Sequence, residues 1–338
     1  MRVLITGGTG FIGSALCRHY LDEGHEVRAL AKLATSAEMR NGEKLQEAGV
    51  DLVVGDVGSR ETIARASDGV DLVHHVAAAM REANVGREFY WQVNVEGTRY
   101  VLEEAARAGA SQVVYCSSVG VYGDISGRRV DEESRCRPTN HYGETKLAAE
   151  ALVKEFTGRE QLPVVIVRPA EVYGPGDARL LKLFRMIQDR KFILFGRGEG
   201  KHHLVYIEDL VAAMALAGQR SELSGQTFVL AGEEPIELRK MIRLIAEILD
   251  VEPPRRSLPL APVMLAARII EAVCRPLGIQ PPIYPRRMDF FRHDWHFDIS
   301  RCKETLGYTP RFDLRSGLER TITGYTKSSG LKAVGQRR

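Results

Sequence analysis

Short, almost unbroken apolar runs recur through the first half of the chain. They are RVLIT (2–6), EVRAL (26–30), DLVVGD (51–56), DLVHHVAA (71–78), SQVVYCSS (111–118) and PVVIVRP (163–169). Runs this short, rich in valine and isoleucine, read as strands buried on both faces. Between them the apolar positions return at helical spacing. In FIGSALCRHYLDEG they are Phe11, Ile12, Ala15, Leu16, His19 and Tyr20, and Gly24 ends the segment. REFYWQVNVEGTRYVLEEAARAG (87–109) reads the same way. Strand and helix alternate to about residue 175, which predicts an α/β fold with a parallel sheet covered on both faces. The right-handed preference of parallel crossovers makes that sheet doubly wound.

After GPGD (174–177) the rhythm weakens. One strand-like run, TFVLAG, stands among short helices, prolines gather at 253–285, and a helix–turn–helix pattern closes the chain. The reading is a first domain over 1–175 and a smaller one over 176–325, with a strand or two returning to the sheet. Residues 326–338, ending in the basic GLKAVGQRR, read as a frayed tail.

The length of 338 residues and the 44% hydrophobic content allow a large core. The net charge is +3 with the two signs interspersed, unlike the clustered charge of a nucleic-acid binder. Cys17, Cys116, Cys136, Cys274 and Cys302 are odd in number and lack metal-ligand spacing, so free thiols in a reducing, cytoplasmic compartment are expected. Arg2, Arg18 and the glycines break any signal-peptide core. No stretch nears eighteen apolar residues; the closest, SLPLAPVMLAA (257–267), reads as a core or lid helix. His74 and His75 are neighbours on a strand and point to opposite faces, and His202 with His203 do likewise, so no metal is expected. Asp209 is expected to cap the helix that follows it.

TGGTGFIG sets Gly7, Gly10 and Gly13 three apart, after a strand and at the start of a helix. Glycine allows positive φ and close approach of a pyrophosphate, and the helix N-terminus offers N–H groups to it. With a second strand following, the context demanded of a dinucleotide turn is present. YGETK places Tyr142 and Lys146 four apart, on one helix face. An ammonium beside a phenol favours phenolate and tunes tyrosine as an acid/base.

These motifs, with GDV (55–57), HVAA (75–78), NVEGT (94–98), YCSSVGVYG (115–123) and RPAEVYGPGD (168–177), resemble the extended short-chain dehydrogenase/reductase superfamily, the NAD-dependent epimerase/dehydratase group. The resemblance runs from residue 1 to about 320. It implies a Rossmann-type sheet with a smaller C-terminal substrate-binding domain, and a homodimer through a four-helix contact. It implies a catalytic Ser118, Tyr142 and Lys146, with Ser118 bonding the substrate oxygen. It places Asp56 on the adenine side, Ala77 and Ala78 beside the nicotinamide ribose, and Asn94 at the core of the site. The remaining cofactor contacts it implies are Gly7, Gly10, Phe11, Ile12, Gly13, Lys32, Val57, Pro169 and Val172, with Tyr142 and Lys146.

At the end of the second strand an acid would bond a ribose 2′-OH and repel a 2′-phosphate. Ala31 stands there, followed by Lys32, which favours NADP over NAD; Lys32 or Arg28 is the phosphate partner, or neither. The reaction is a hydride transfer to or from a secondary alcohol or ketone, or else a nucleotide-sugar 4-epimerisation. A non-catalytic redox sensor is a third reading, although both Tyr142 and Lys146 are kept. Dehydratases of the family carry an Asp–Glu pair where this chain has Val119 and Gly120. HHLVYIED (202–209) has His202 where the epimerases hold a diphosphate-binding arginine, and Glu171 stands where they often have Asn or Thr. Arg287 or Arg292 could replace that arginine in part. The substrate residues expected are Ser118, Glu171, His202 and Arg287.

Overall fold

A computed structural model describes residues 1–80, 85–125, 127–160, 162–274, 279, 281, 283, 288–292, 294–329 and 331. The first half alternates β1 (Arg2–Thr6), α1 (Phe11–Asp22), β2 (Glu26–Ala31), α2 (Ser36–Glu47), β3 (Asp51–Val54), α3 (Arg60–Ser67) and β4 (Leu72–His75). There follow α4 (Arg87–Trp91), a π turn at Gln92–Glu96, α5 (Gly97–Arg107), β5 (Gln112–Cys116), α6 (His141–Glu160) and β6 (Val164–Pro169). A seventh strand, β7 (Thr227–Leu230), pairs in parallel with β6 and completes a sheet of order β7-β6-β5-β4-β1-β2-β3. The order reverses between β1 and β4, and an open α/β sheet binds its ligand at such a point, outside the carboxyl ends of the strands.

Alternation along the strands sorts the core into two layers. Leu4, Leu30, Val73, Val113 and Tyr115 face α3, α5 and α6. Val3, Ile5, Ala29, Leu72 and Val114 face α1, α2 and a helix of the second half, α8 (Ile207–Gly218). The second half adds α7 (Ala178–Gln188), α9 (Leu238–Ile248), α10 (Leu260–Cys274) and α11 (Leu314–Ser329). Short strand pairs stitch it to the first half: Glu171–Tyr173 with Leu204–Tyr206, and Arg129–Val130 with His296–Phe297. The two halves share one continuous apolar core.

Three expectations change here. Helix α11 continues to Ser329, past the expected start of the tail. The apolar segment at 257–267 is not a core helix, because α10 buries only Ala267 and leaves Leu265, Ile269 and Val273 exposed. Asp209 does not cap α8: its two carboxylate oxygens accept the N–H groups of Arg311 and Phe312, at 3.0 and 3.2 Å, and so hold the approach to α11. All five cysteines are free thiols.

Candidate active site

The turn after β1 is built to let a helix end come close. Gly7 has φ +70°, and the N–H groups of Gly7 and Gly8 donate to the Leu30 carbonyl at 2.7 and 3.2 Å. A Cβ on Gly13 would stand 2.1 Å from the Gly7 oxygen, so only glycine lets α1 pack on the turn. A Cβ on Gly10 would meet nothing within 4 Å but that same oxygen, at 3.1 Å. Glycine at position 10 therefore keeps the space above the helix start clear. The first turn of α1 carries no acidic residue. Backbone N–H groups of Phe11, Ile12 and Gly13 and the positive dipole end have the chemistry to receive a pyrophosphate there. The Phe11 ring packs against Gly174 and Gly176.

On the adenine side, Ala31 is buried at the end of β2. Lys32 Nζ lies 2.8 Å from Asp56, and the Gly58 N–H donates to the same carboxylate at 2.9 Å. Partial burial works against the Asp56 charge, but the Lys32 and Gly58 bonds prevail and hold its carboxyl below the usual range. The lysine expected to meet a 2′-phosphate is thus already paired with the expected adenine-side acid. Arg28 is engaged elsewhere, with Asp51 at 2.6 Å and with the carbonyls of Ala66 and Asp68, which removes it as a phosphate partner. Val57 is buried beneath Gly97.

The segment leaving β4 is held by a buried proton chain. Thr6 Oγ1 accepts the N–H groups of Val76 and Ala77, both at 3.1 Å, so its own hydrogen goes to His75 Nδ1 at 2.8 Å. His75 then donates from Nε2 to Thr98 Oγ1 at 3.0 Å, and Thr98 donates to the Asn94 carbonyl at 2.6 Å. Burial, with Lys146 nearby, pushes the His75 pKa down to about 3, so the ring is neutral. His74 faces the other way, onto the Tyr20 hydroxyl at 2.7 Å. Asn94 clamps rather than reaches: its amide accepts from Ala79 N–H at 2.8 Å and donates to the Ala79 carbonyl and to Thr145 Oγ1, each at 2.9 Å. Both amide hydrogens are used inside the protein, which makes Asn94 a strut between the 77–80 loop and α6. Ala77 lies against Gly7, and Ala78 is half-buried beside it.

Ser118 follows β5 and caps the turn Val119–Tyr122, its Oγ accepting the Gly120 N–H at 3.0 Å. A Cβ on Gly120 would touch both Ser118 Oγ, at 3.3 Å, and the Tyr142 ring, at 3.8 Å. Glycine at 120 thus lets the hydroxyl and the phenol sit together. Lys146, one turn along α6 from Tyr142, is buried; its Nζ donates to the Cys116 carbonyl at 2.7 Å and lies 4.8 Å from the centre of the Tyr115 ring. Burial pushes the Lys146 pKa down to about 8. The structure brings Ser118, Tyr142 and Lys146 to the carboxyl ends of β4 and β5, beside the glycine turn.

Further out, Pro169 ends β6, and the Val172 carbonyl accepts from Arg179. Glu171 and His202 lie together, with Oε2 and Nδ1 2.7 Å apart, while His202 Nε2 donates to the Phe290 carbonyl at 2.9 Å. Both ring nitrogens face acceptors, an arrangement that favours the protonated imidazole beside a carboxylate. Burial opposes that charge, but Glu171 overcomes it and raises the His202 pKa. Glu171 thus favours the charged form of the ring and offsets its charge. Arg287 lies outside the described residues. A folded-state pKa above the unfolded value gives stability that is full below about pH 6.5 and is lost as pH rises through the raised pKa. His202→Gln should therefore cost about 1–3 kcal/mol at pH 6 and clearly less at pH 9. Denaturant melts at the two pH values check this, and equal penalties would contradict the ion pair.

Sequence reasoning missed Thr6, Thr145, Ser117, Glu150 and Arg168, which surround these groups. Only Glu150 had a legible signal, standing one turn beyond Lys146 on the same helix face. Among the described residues no cluster has the make-up of a metal site, and no helix is long and apolar enough to cross a membrane.

A doubly wound sheet with a glycine cradle at its switch point and a Ser–Tyr–Lys group beside it defines a dinucleotide-dependent enzyme of the short-chain dehydrogenase type. The model of the NAD dependent epimerase/dehydratase family matches residues 3–231, and the chain belongs to that family. It is 28% identical over 359 residues to the 3beta-hydroxysteroid-dehydrogenase/decarboxylase isoform 1 of Arabidopsis thaliana, covering 98% of this chain and 81% of that one. It is 27% identical over 342 residues to a 3 beta-hydroxysteroid dehydrogenase/Delta 5-->4-isomerase of Mycobacterium tuberculosis, covering 96% and 90%. The structure of UDP-glucuronic acid 4-epimerase from Bacillus cereus in complex with NAD has the same fold, with TM-score 0.77 at 23% identity over 97% of this chain and 99% of that one.

Proposed function

We propose that the enzyme moves a hydride between a nicotinamide dinucleotide and a weakly polar secondary alcohol or ketone, with Tyr142 as the acid/base. The observation that carries this reading is the Glu171–His202 pair. Where a sugar-nucleotide enzyme of the family sets an arginine on its diphosphate, this chain has a cation already neutralised by a carboxylate, and a diphosphate gains little there. Val119 and Gly120 supply no proton-transfer group for an elimination. The steroid dehydrogenases among the relatives agree with an apolar substrate.

The bound nicotinamide supplies the hydride chemistry. Ser118 donates a hydrogen bond to the substrate oxygen. Tyr142 passes a proton to that oxygen in reduction and takes it back in oxidation. Lys146, charged below about pH 8, stabilises the phenolate that remains. Gly7, Gly10 and Gly13 receive the pyrophosphate, with Phe11, Ile12, Pro169 and Val172 walling the groove.

NADP is the preferred cofactor in this reading, supported by Ala31 in place of an acid. Lys32 reaches a 2′-phosphate by opening its bridge to Asp56. The five free thiols fit a reducing cytoplasm, to be checked by cell fractionation. The outer faces of α5 and α6, around Arg99, Arg107 and Phe156, offer the surface for a homodimer, and a monomer mass by light scattering would remove that assignment.

A thermal-shift and turnover panel of NADP, NAD, dehydroepiandrosterone, cyclohexanol, UDP-glucose and UDP-glucuronate tests the whole. Reduction of NADP by an alcohol, with no stabilisation by either UDP-sugar, is expected. Stabilisation by the UDP-sugars without net cofactor reduction points instead to an epimerase. Cofactor binding with no turnover of any member leaves a sensor.

A further inference from the structure

A buried ion pair stands behind the catalytic group without touching it. Glu150, on α6, takes Arg168 of β6 in a two-point grip, Oε1 to Nε at 2.9 Å and Oε2 to Nη2 at 2.6 Å. Both side chains are almost fully enclosed, at 2% and 3% exposure. Such a pair is a poor source of stability, since its desolvation offsets most of its attraction and apolar residues serve as well. Its contacts show what else it does. The Ser117 hydroxyl donates to Glu150 Oε1 at 2.5 Å. Arg168 Nη1 donates to the Tyr122 hydroxyl at 2.8 Å and to the Glu132 carbonyl at 3.1 Å. Ser117 and Tyr122 bracket Ser118 on either side, and both are tied to the one ion pair. Tyr142, Lys146 and Glu150 recur every four residues on one face of α6.

We propose that Glu150 and Arg168 are positioning residues for hydride transfer, fastening the strand end that carries Ser118 to the helix face that carries Tyr142 and Lys146. This rests on the function proposed above. The titratable groups around Lys146 are His75 from β4, Tyr115 and Cys116 from β5, and Tyr142 and Glu150 from its own helix. Burial keeps His75, Tyr115 and Cys116 uncharged at neutral pH. Against burial, Cys116, whose carbonyl takes the Lys146 ammonium at 2.7 Å, and after it the Glu150 carboxylate help Lys146 keep its charge.

Two variants test the clamp. Ser117→Ala leaves the ion pair whole and should lower kcat three- to tenfold, with KM for NADP unchanged, on whichever alcohol of the panel is oxidised. Glu150→Gln removes the carboxylate and leaves the Arg168 charge uncompensated, so the titration midpoint of Lys146 should fall. That midpoint is followed through the lysine Cε carbon by NMR, with no substrate, and the alkaline limb of kcat should move with it. An unmoved midpoint in folded Glu150→Gln, or an unchanged kcat in Ser117→Ala, overturns the proposal. If Glu150→Gln does not fold, Ser117→Ala decides alone through kcat; if no alcohol turns over, the midpoint decides. Tyr142→Phe run in parallel keeps the two ideas apart. Turnover that survives it sinks the proposed function, whereas turnover lost there with both clamp variants behaving as wild type sinks only the clamp.

Discussion

Tyr142→Phe should lose about 10²- to 10⁴-fold in kcat while binding the dinucleotide with near wild-type affinity. The substitution removes one oxygen and keeps the ring that packs beside Gly120. Lys146 keeps its bond to the Cys116 carbonyl, so the helix start and the strand end should not shift. Steady-state turnover together with NADPH fluorescence titration separates the two quantities. A variant within a few-fold of wild type would show that the proton moves through another group.

Gly13→Ala should be severely damaging for a single added methyl. The added Cβ would lie 2.1 Å from the Gly7 oxygen and 2.8 Å from the Gly8 Cα, and both are backbone atoms with nowhere to go. Helix α1 must back away from the turn, at a cost of about 1–3 kcal/mol in stability and most of the cofactor affinity. Gly10→Ala is the informative contrast. Its methyl meets only the Gly7 oxygen, at 3.1 Å, and otherwise stands in the open cradle. It should fold almost normally and yet weaken dinucleotide binding at least tenfold. Thermal melts with and without cofactor distinguish these results, and tight binding by Gly10→Ala would show that the pyrophosphate does not rest on this turn.

What could be read from the sequence was whatever repeats within a few residues. The strands showed because valine and isoleucine crowd them, the cradle because its glycines sit three apart, and the Tyr142–Lys146 pair because a helix returns every four residues. What stayed hidden was pairing across the sheet. Lys32 meets Asp56 because β2 and β3 lie side by side with their loops at the same end. Glu150 meets Arg168 because α6 packs over β6. His202 meets Glu171 because Leu204–Tyr206 aligns with Glu171–Tyr173. Two of these pairings change the meaning of a residue already singled out: Lys32, read as a phosphate ligand, is offset by Asp56, and His202, read in place of an arginine, is tied to Glu171. Asp209 was misread for a related reason, since a carboxylate in a first helical turn looks like a cap until the chain from Arg311 arrives to claim it.

The edge strand β7 has a consequence for how the protein is made. Its pairing partner β6 ends at Pro169, yet β7 is complete only at Leu230, about 60 residues later. At a synthesis rate of about 5–20 residues per second, the nascent sheet waits roughly 3–12 s with one flank of β6 bare. The α8 helix that covers the other side of the sheet is translated within the same interval. A ribosome-bound chain stopped near residue 175 should therefore be a target for chaperones, however complete its cofactor cradle is by then.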